Sequence, residues 1–198
     1  MFFSLTSNLF GQGYPKGVYM SLRDITEKNP SHQSEVNVER SPKSEDVGYL
    51  LFSVDNSEKK NFFKKKAYGY SDGEKMYING RKFKTQDWYS EVLSDGRYIV
   101  FKGGALRNDP NVAMAGVMFG AIGAGIASAK QSKKRYVYAF DKDTGRTTVI
   151  HMQSIQKFLE QDSGLLESYM KEENMNAPDI LIEYMARLNE SLKDPVAT

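Results

Sequence analysis

Short runs of β-branched and aromatic residues, alternating with polar positions, fill the middle of the chain. Eight of them have the length and composition of strands: 49–54, 67–70, 75–78, 82–84, 88–93, 97–102, 135–140 and 146–150. Between them stand SDG at 71–73, NG at 79–80, SDG at 94–96 and DTG at 143–145. These turns put Gly where a tight hairpin needs a positive φ. The pattern predicts an antiparallel β-meander or partial barrel, with at most one further brief strand at 35–39.

Helical spacing replaces this alternation at both ends of the region. Ser21 and Asp24 form a capping-box pattern that predicts a short helix over 22–29, ended by Pro30. Apolar residues recur at helical spacing over 152–161 and 165–171, and Pro178 begins a last helix with one apolar stripe and an opposite polar face. Since a one-sided helix must cover something, we expect these helices on the open face of the sheet. The predicted class is α+β.

One stretch fits neither pattern. NVAMAGVMFGAIGAGIASAK, residues 111–130, carries no charge before Lys130 and one hydroxyl, at Ser128. Helical spacing places Gly116, Gly120, Ala124 and Ser128 in one column, where small residues let a second helix backbone approach closely. Because each internal Gly costs about 1 kcal/mol relative to Ala in a solvated helix, we expect this Gly/Ala-rich helical insert to need a partner. The four residues of the column are the predicted helix contact.

Three interpretations of the insert stay open. Residues 112–129 are just long enough to span a bilayer, and a basic flank follows at 130–135. The run also fits a re-entrant or interfacial hairpin broken near 123–125, or a soluble insertion buried in a homo-oligomer. Its position between two predicted strands favours a peripheral element, because a full crossing would place 97–102 and 135–140 on opposite sides of the bilayer.

The first eleven residues form an apolar run ending at Gly11. It is typical of the second half of a secretory signal peptide, although a basic start is missing and Leu9 stands where a small residue is preferred. We expect a truncated signal peptide, cleaved after Gly11, and export to the periplasm or cell envelope. The alternatives are a buried first strand and a cytoplasmic protein. The predicted organisation is a signal peptide at 1–11, a β-rich domain at 12–150 with the insert at 111–130, and a helical segment at 151–198 packed on it.

Composition and charge exclude several classes of protein. With 40% hydrophobic and 26% charged residues, the 198-residue chain suits one ordinary globular domain. Its 27 basic and 25 acidic residues give a net charge of +2, too small by itself to indicate a nucleic-acid binder. The absence of cysteine excludes disulfide scaffolds, thiolate metal sites and cysteine nucleophiles.

Candidate chemistry is sparse. His32 and His151 lie far apart in sequence without metal or triad spacing, so we expect surface or capping histidines. KKNFFKKKAYGY at 59–70 combines lysines with aromatics, but the turn at 71–73 cuts short its likeness to an RNA-recognition strand. GG at 103–104 lacks phosphate-loop spacing, and 141–144 lacks the calcium-loop pattern. We therefore expect no catalytic residue, no cofactor, no metal site and no nucleic-acid partner.

Five segments together resemble a known family. They are GVYMSLRDITEKNPS at 17–31, KKAYGYSDGEKMYING at 65–80, SDGRYIVFKGG at 94–104, YVYAFDKDTGRTTVI at 136–150 and LIEYMARLNESL at 181–192. In these segments the chain resembles a family of small, exported, uncharacterised bacterial proteins. The resemblance implies a signal peptide, a β-rich domain with a Gly-rich insert, and a charged helical tail. It implies no catalytic or binding residue.

These observations predict a non-enzymatic secreted or cell-envelope domain that acts through protein or surface contacts. Two alternatives are kept: a membrane-associated oligomer that uses the 112–129 helix, and an enzyme with a dispersed site. The expected partner is a protein or a second copy of the chain, with membrane contact through 112–129. The sequence does not specify a small-molecule ligand.

Overall fold

Nine antiparallel strands and five helices make up the part of the chain that the computed structural model describes, residues 13–42, 48–55, 61–104 and 135–193. The strands are β1 Gly17–Tyr19, β2 Val36–Arg40, β3 Tyr49–Ser53, β4 Gly69–Ser71, β5 Met76–Asn79, β6 Tyr89–Asp95, β7 Tyr98–Gly104, β8 Arg135–Asp141 and β9 Arg146–Ile150. The helices are α1 Leu22–Thr26, α2 Phe62–Lys65, α3 Met152–Leu159, α4 Ser163–Tyr169 and α5 Pro178–Ser191. The predicted α+β class and antiparallel meander are confirmed.

The strands follow one another as a meander from β4 to β9, and β1 lies beside β4. The first half of β6 pairs with β5 and the second half with β7, and the β6–β7 ladder has a register shift between Val92 and Ser94. The β2–β3 hairpin joins the sheet where Tyr49 pairs with Tyr89 at the start of β6. Strand β6 therefore links the two parts of the sheet.

Both faces of the central strands β7 and β8 are buried. Tyr98 and Val100 belong to a core cluster shared with the carboxy-terminal helices. Ile99 and Phe101, on the other face, belong to a cluster that also holds Tyr19 from β1 and other side chains from α1, β5, β6 and β8. This double burial explains why β7 is a continuous apolar run rather than an alternating one.

The carboxy-terminal helices cover one face of the sheet, and α5 lies across β6, β7 and β8. Leu181, Met185 and Leu188 are buried on its inner side. Asn189 is also fully buried there, and its amide nitrogen donates to Ser94 Oγ at 2.9 Å and to the Tyr98 carbonyl at 2.7 Å. Its carbonyl oxygen accepts from the Tyr98 N–H at 2.9 Å. Three hydrogen bonds thus fix α5 to the β6–β7 hairpin.

One predicted strand and one predicted hairpin are wrong. Residues 81–84 form a turn, and Asn79-Gly80 does not join two strands. The Asn79 side chain is buried and donates instead to the carbonyls of Phe63, at 2.9 Å, and Ala67, at 2.8 Å. A Cβ on Gly80 would lie 2.8 Å from the Trp88 carbonyl oxygen. Gly80 is therefore required for close packing. The other turns agree with expectation in position. Gly73 and Gly145 have the expected positive φ values, 101° and 68°, whereas Gly80 and Gly96 do not have a positive φ.

Several sequence-based predictions lie outside the described residues. They concern the signal peptide at 1–11, the insert at 111–130 and its contact residues Gly116, Gly120, Ala124 and Ser128. None of the helices formed by the described residues is long and apolar enough to cross a bilayer.

Candidate functional site

A groove on the outer helical layer, between α4 and α5, is the strongest candidate site. It has a volume of about 500 Å³. Leu165 of α4 and Ile182 and Ala186 of α5 supply its apolar lining. Leu165 and Ile182 are half-buried and Ala186 is 9% exposed, because the inner faces of both helices already pack on the core. The groove therefore offers an apolar surface that the described part of the chain only partly covers.

Charged side chains form the rim of this groove, and each carboxylate has a cation beside it. Asp179 lies 3.0 Å from Lys102 Nζ, and Glu190 lies 2.7 Å from Lys193 Nζ. Glu183 lies 3.8 Å from Arg187, whose guanidinium stacks 4.7 Å from the centroid of the Tyr184 ring. Asp179, Glu183, Arg187 and Glu190 are exposed on α5 and line the groove, whereas Lys102 and Lys193 lie beside it. Each of the three carboxylates is thus held in an ion pair.

The sequence pattern does not indicate this groove, because it predicts a polar outer face for α5. The available signal was the pair Ile182 and Ala186, one helical turn apart on a face that is otherwise charged. Leu165 comes from a separate helix, and its approach to α5 depends on tertiary packing that sequence spacing does not contain.

A buried carboxylate, Asp95, forms the second cluster of interest. Its side chain is 4% exposed and lies 2.6 Å from Lys142 Nζ and 3.0 Å from Lys28 Nζ. Burial, followed by the negative charge of Asp95, raises the pKa of the neighbouring Tyr14 hydroxyl. The two ammonium groups more than balance the charge of the carboxylate, and none of these residues lines the groove. The cluster ties the end of α1 to the β6–β7 and β8–β9 hairpins, which is a structural role.

The two histidines lie in different parts of the fold. His151 caps α3, because its Nδ1 accepts from the Gln153 and Ser154 N–H groups. Burial lowers the pKa of His151, which keeps Nδ1 available as an acceptor. His32 forms an isolated antiparallel bridge with Val18 of β1, and its ring lies 5.3 Å from that of Phe62. Among the described residues, no group of three or more His, Asp or Glu side chains could hold a metal ion.

The basic and aromatic stretch at 59–70 contains helix α2, which the sequence pattern does not predict. Phe63 and Tyr70 are buried. Tyr68 is half-buried, with the Lys82 ammonium 4.7 Å from its ring centroid. These rings are used for packing and for an intramolecular cation–π contact, so this segment does not present them as an open stacking platform.

A family model described as a family of unknown function (DUF6563) matches residues 17–192. No curated protein and no solved structure matches the chain. The match agrees with the resemblance to an uncharacterised family, while the bacterial and exported character implied by that resemblance stays a prediction.

Proposed function

The chain belongs to this family of unknown function, and from its own geometry we propose that it is a non-enzymatic secreted or cell-envelope domain acting through protein contacts. The α4–α5 groove is the surface that makes the contact. Export is motivated by the apolar run at 1–11.

The apolar lining of the groove carries this proposal. A catalytic cleft brings titratable groups together around a reacting atom, often with perturbed pKa values. Here the centre of the groove is lined by Leu165, Ile182 and Ala186, and the carboxylates that also line it are each held in an ion pair. An apolar centre with a polar rim is the arrangement typical of a protein–protein interface.

A second candidate is a membrane-associated oligomer that uses residues 112–129. Its motivation is the uncharged sequence of this run and the column Gly116, Gly120, Ala124 and Ser128, which suits close helix packing. An enzyme with a dispersed site is the third class. A deep pocket lined by converging titratable residues would favour it.

Site-specific photocrosslinking in the native cell tests the contact role. A photoreactive residue replaces Glu183, on the rim of the groove, and in a matched control it replaces Arg23, which is 81% exposed on α1. We expect a discrete adduct of one mass from position 183 and none from position 23. The absence of an adduct at 183, or equal adducts at both positions, would contradict a contact role for the groove.

Cell fractionation with mass spectrometry tests the predicted export separately. We expect a chain that begins near Gln12 outside the cytoplasm. An intact Met1 in the cytosolic fraction would show that the export prediction is wrong, without bearing on the groove.

A further inference from the structure

We propose that the occupant of the α4–α5 groove is the same groove of a second copy of this chain, in a two-fold antiparallel pairing of α5 helices. This inference rests on the proposed contact function and names its partner.

The charge of the rim is the first argument. Three carboxylates and one guanidinium line the groove, and two lysines next to it pair with two of the carboxylates; the residues are Asp179, Glu183, Glu190 and Arg187, with Lys102 and Lys193. The charges cancel. A surface dominated by one sign repels its own copy, because like charges that face each other across an interface cost several kcal/mol. Because the net charge of the rim is zero, two copies of it can face each other without net repulsion. A strongly acidic or strongly basic partner would gain no net electrostatic attraction from this rim.

The shape of the surface is the second argument. Ile182 and Ala186 follow one another by one turn on the groove side of α5. A two-fold axis placed midway between them sets Ile182 of each copy against Ala186 of the other, as an isologous interface requires. The small Ala leaves room for the branched side chain of Ile. The same surface thus supplies both the projecting side chain of Ile182 and the space beside Ala186 that accommodates it.

The same axis brings Arg187 and Glu183 of different copies together. It also sets Glu190 of each copy about 1.5 Å along the helix axis from Asp179 of the other, and each of these carboxylates keeps a lysine of its own chain beside it. With a rise of 1.5 Å per residue, Arg187 of one copy lies about 3 Å along the helix axis from Glu183 of the other. The intrachain distance between these two side chains, 3.8 Å, is the longest of the three rim pairs. Arg187 can therefore leave the ion pair with Glu183 of its own chain and pair with Glu183 of the second copy. The two-fold symmetry creates two such interchain pairs.

Charge reversal tests the pairing by sedimentation of the purified full chain. Glu183→Arg and Arg187→Glu each place like charges at both symmetric pairs, so each variant alone should dimerise at least about tenfold more weakly than wild type. When the two variants are mixed, the heterodimer regains both opposite-charge pairs, and we expect dimerisation to return. Lys171→Glu is the matched control: it breaks an exposed ion pair with Glu167 on α4, away from the groove, and should dimerise as wild type does.

A wild-type chain that stays monomeric at all concentrations overturns the proposal, whether another protein or the chain's own residues 105–134 then cover the groove. Failure of the mixed variants to dimerise overturns it as well. A photocrosslinked adduct at position 183 whose mass is not that of two copies removes this partner but leaves the contact function standing. An adduct with the mass of two copies supports both.

Discussion

Replacing Asn189 with Ala removes the polar link between α5 and the sheet. The Asn189 side chain is 0% exposed and makes three hydrogen bonds, to Ser94 Oγ and to the N–H and carbonyl of Tyr98. Each such bond contributes about 1 kcal/mol net, and a partner left buried and unpaired costs roughly 1–3 kcal/mol. Asn189→Ala should therefore lower the free energy of unfolding by about 3 to 5 kcal/mol. That is a large part of the 5–15 kcal/mol typical of a folded domain.

Equilibrium denaturation measures this loss, and the single tryptophan, Trp88, provides a fluorescence signal. Asn189→Asp keeps the shape of the side chain but loses both amide donors, so it should not restore stability. Asn174→Ala changes an exposed asparagine in the α4–α5 connection and should alter the free energy by less than about 0.5 kcal/mol. A loss below about 1 kcal/mol for Asn189→Ala, or full stability in Asn189→Asp, would refute the assignment of this stability to hydrogen bonds.

Three further predictions concern separate parts of the molecule. Gly80→Ala forces a Cβ against the Trp88 and Gln86 carbonyl oxygens, at 2.8 and 2.9 Å, and should cost about 1 to 3 kcal/mol in chemical denaturation; a neutral effect would contradict the close packing. Because burial lowers the pKa of His151, the folded state favours the neutral ring, so stability should fall as pH drops below the ordinary value of 6.5. His151→Asn keeps a helix cap and should lose this part of the pH dependence in thermal melts; an unchanged profile would show that His151 is not its source. Gly120→Leu should reduce self-association or membrane retention in sedimentation and detergent partitioning while the sheet stays folded; if both forms are monomeric and fully soluble without detergent, the contact role of the insert is wrong.

The sheet was predictable from sequence because its signals are local. Alternation and turn residues identified the strands from β2 to β9, with boundaries displaced by one or two residues. The Ser21 cap was also predictable, since the Asp24 N–H donates to the Ser21 hydroxyl oxygen three residues away. Where the interacting groups are neighbours in sequence, pattern and structure agree.

The errors arose where a distant contact decided the local structure. Asn79-Gly80 has the composition of a hairpin turn, but the Asn79 amide holds the carbonyls of α2 and its vicinity. Helix α2 depends on the same contacts, together with the Tyr89 hydroxyl, which donates to the Phe63 carbonyl at 2.6 Å. The groove was missed for a related reason, because Leu165 meets α5 only after the helices have packed. Residue spacing in the sequence does not predict these tertiary contacts.

Gly104 pairs with Arg135 at the end of the β7–β8 ladder, and thirty residues separate them in the sequence. The two strand ends that these residues connect lie a few ångströms apart. The pairing of β7 with β8 therefore does not depend on the length or sequence of the segment that connects them. A two-residue Asn-Gly turn could replace residues 105–134 and still join β7 to β8. Loop exchange at this point would let the insert vary in length and hydrophobicity, or be removed, as a modular attachment to an unchanged scaffold.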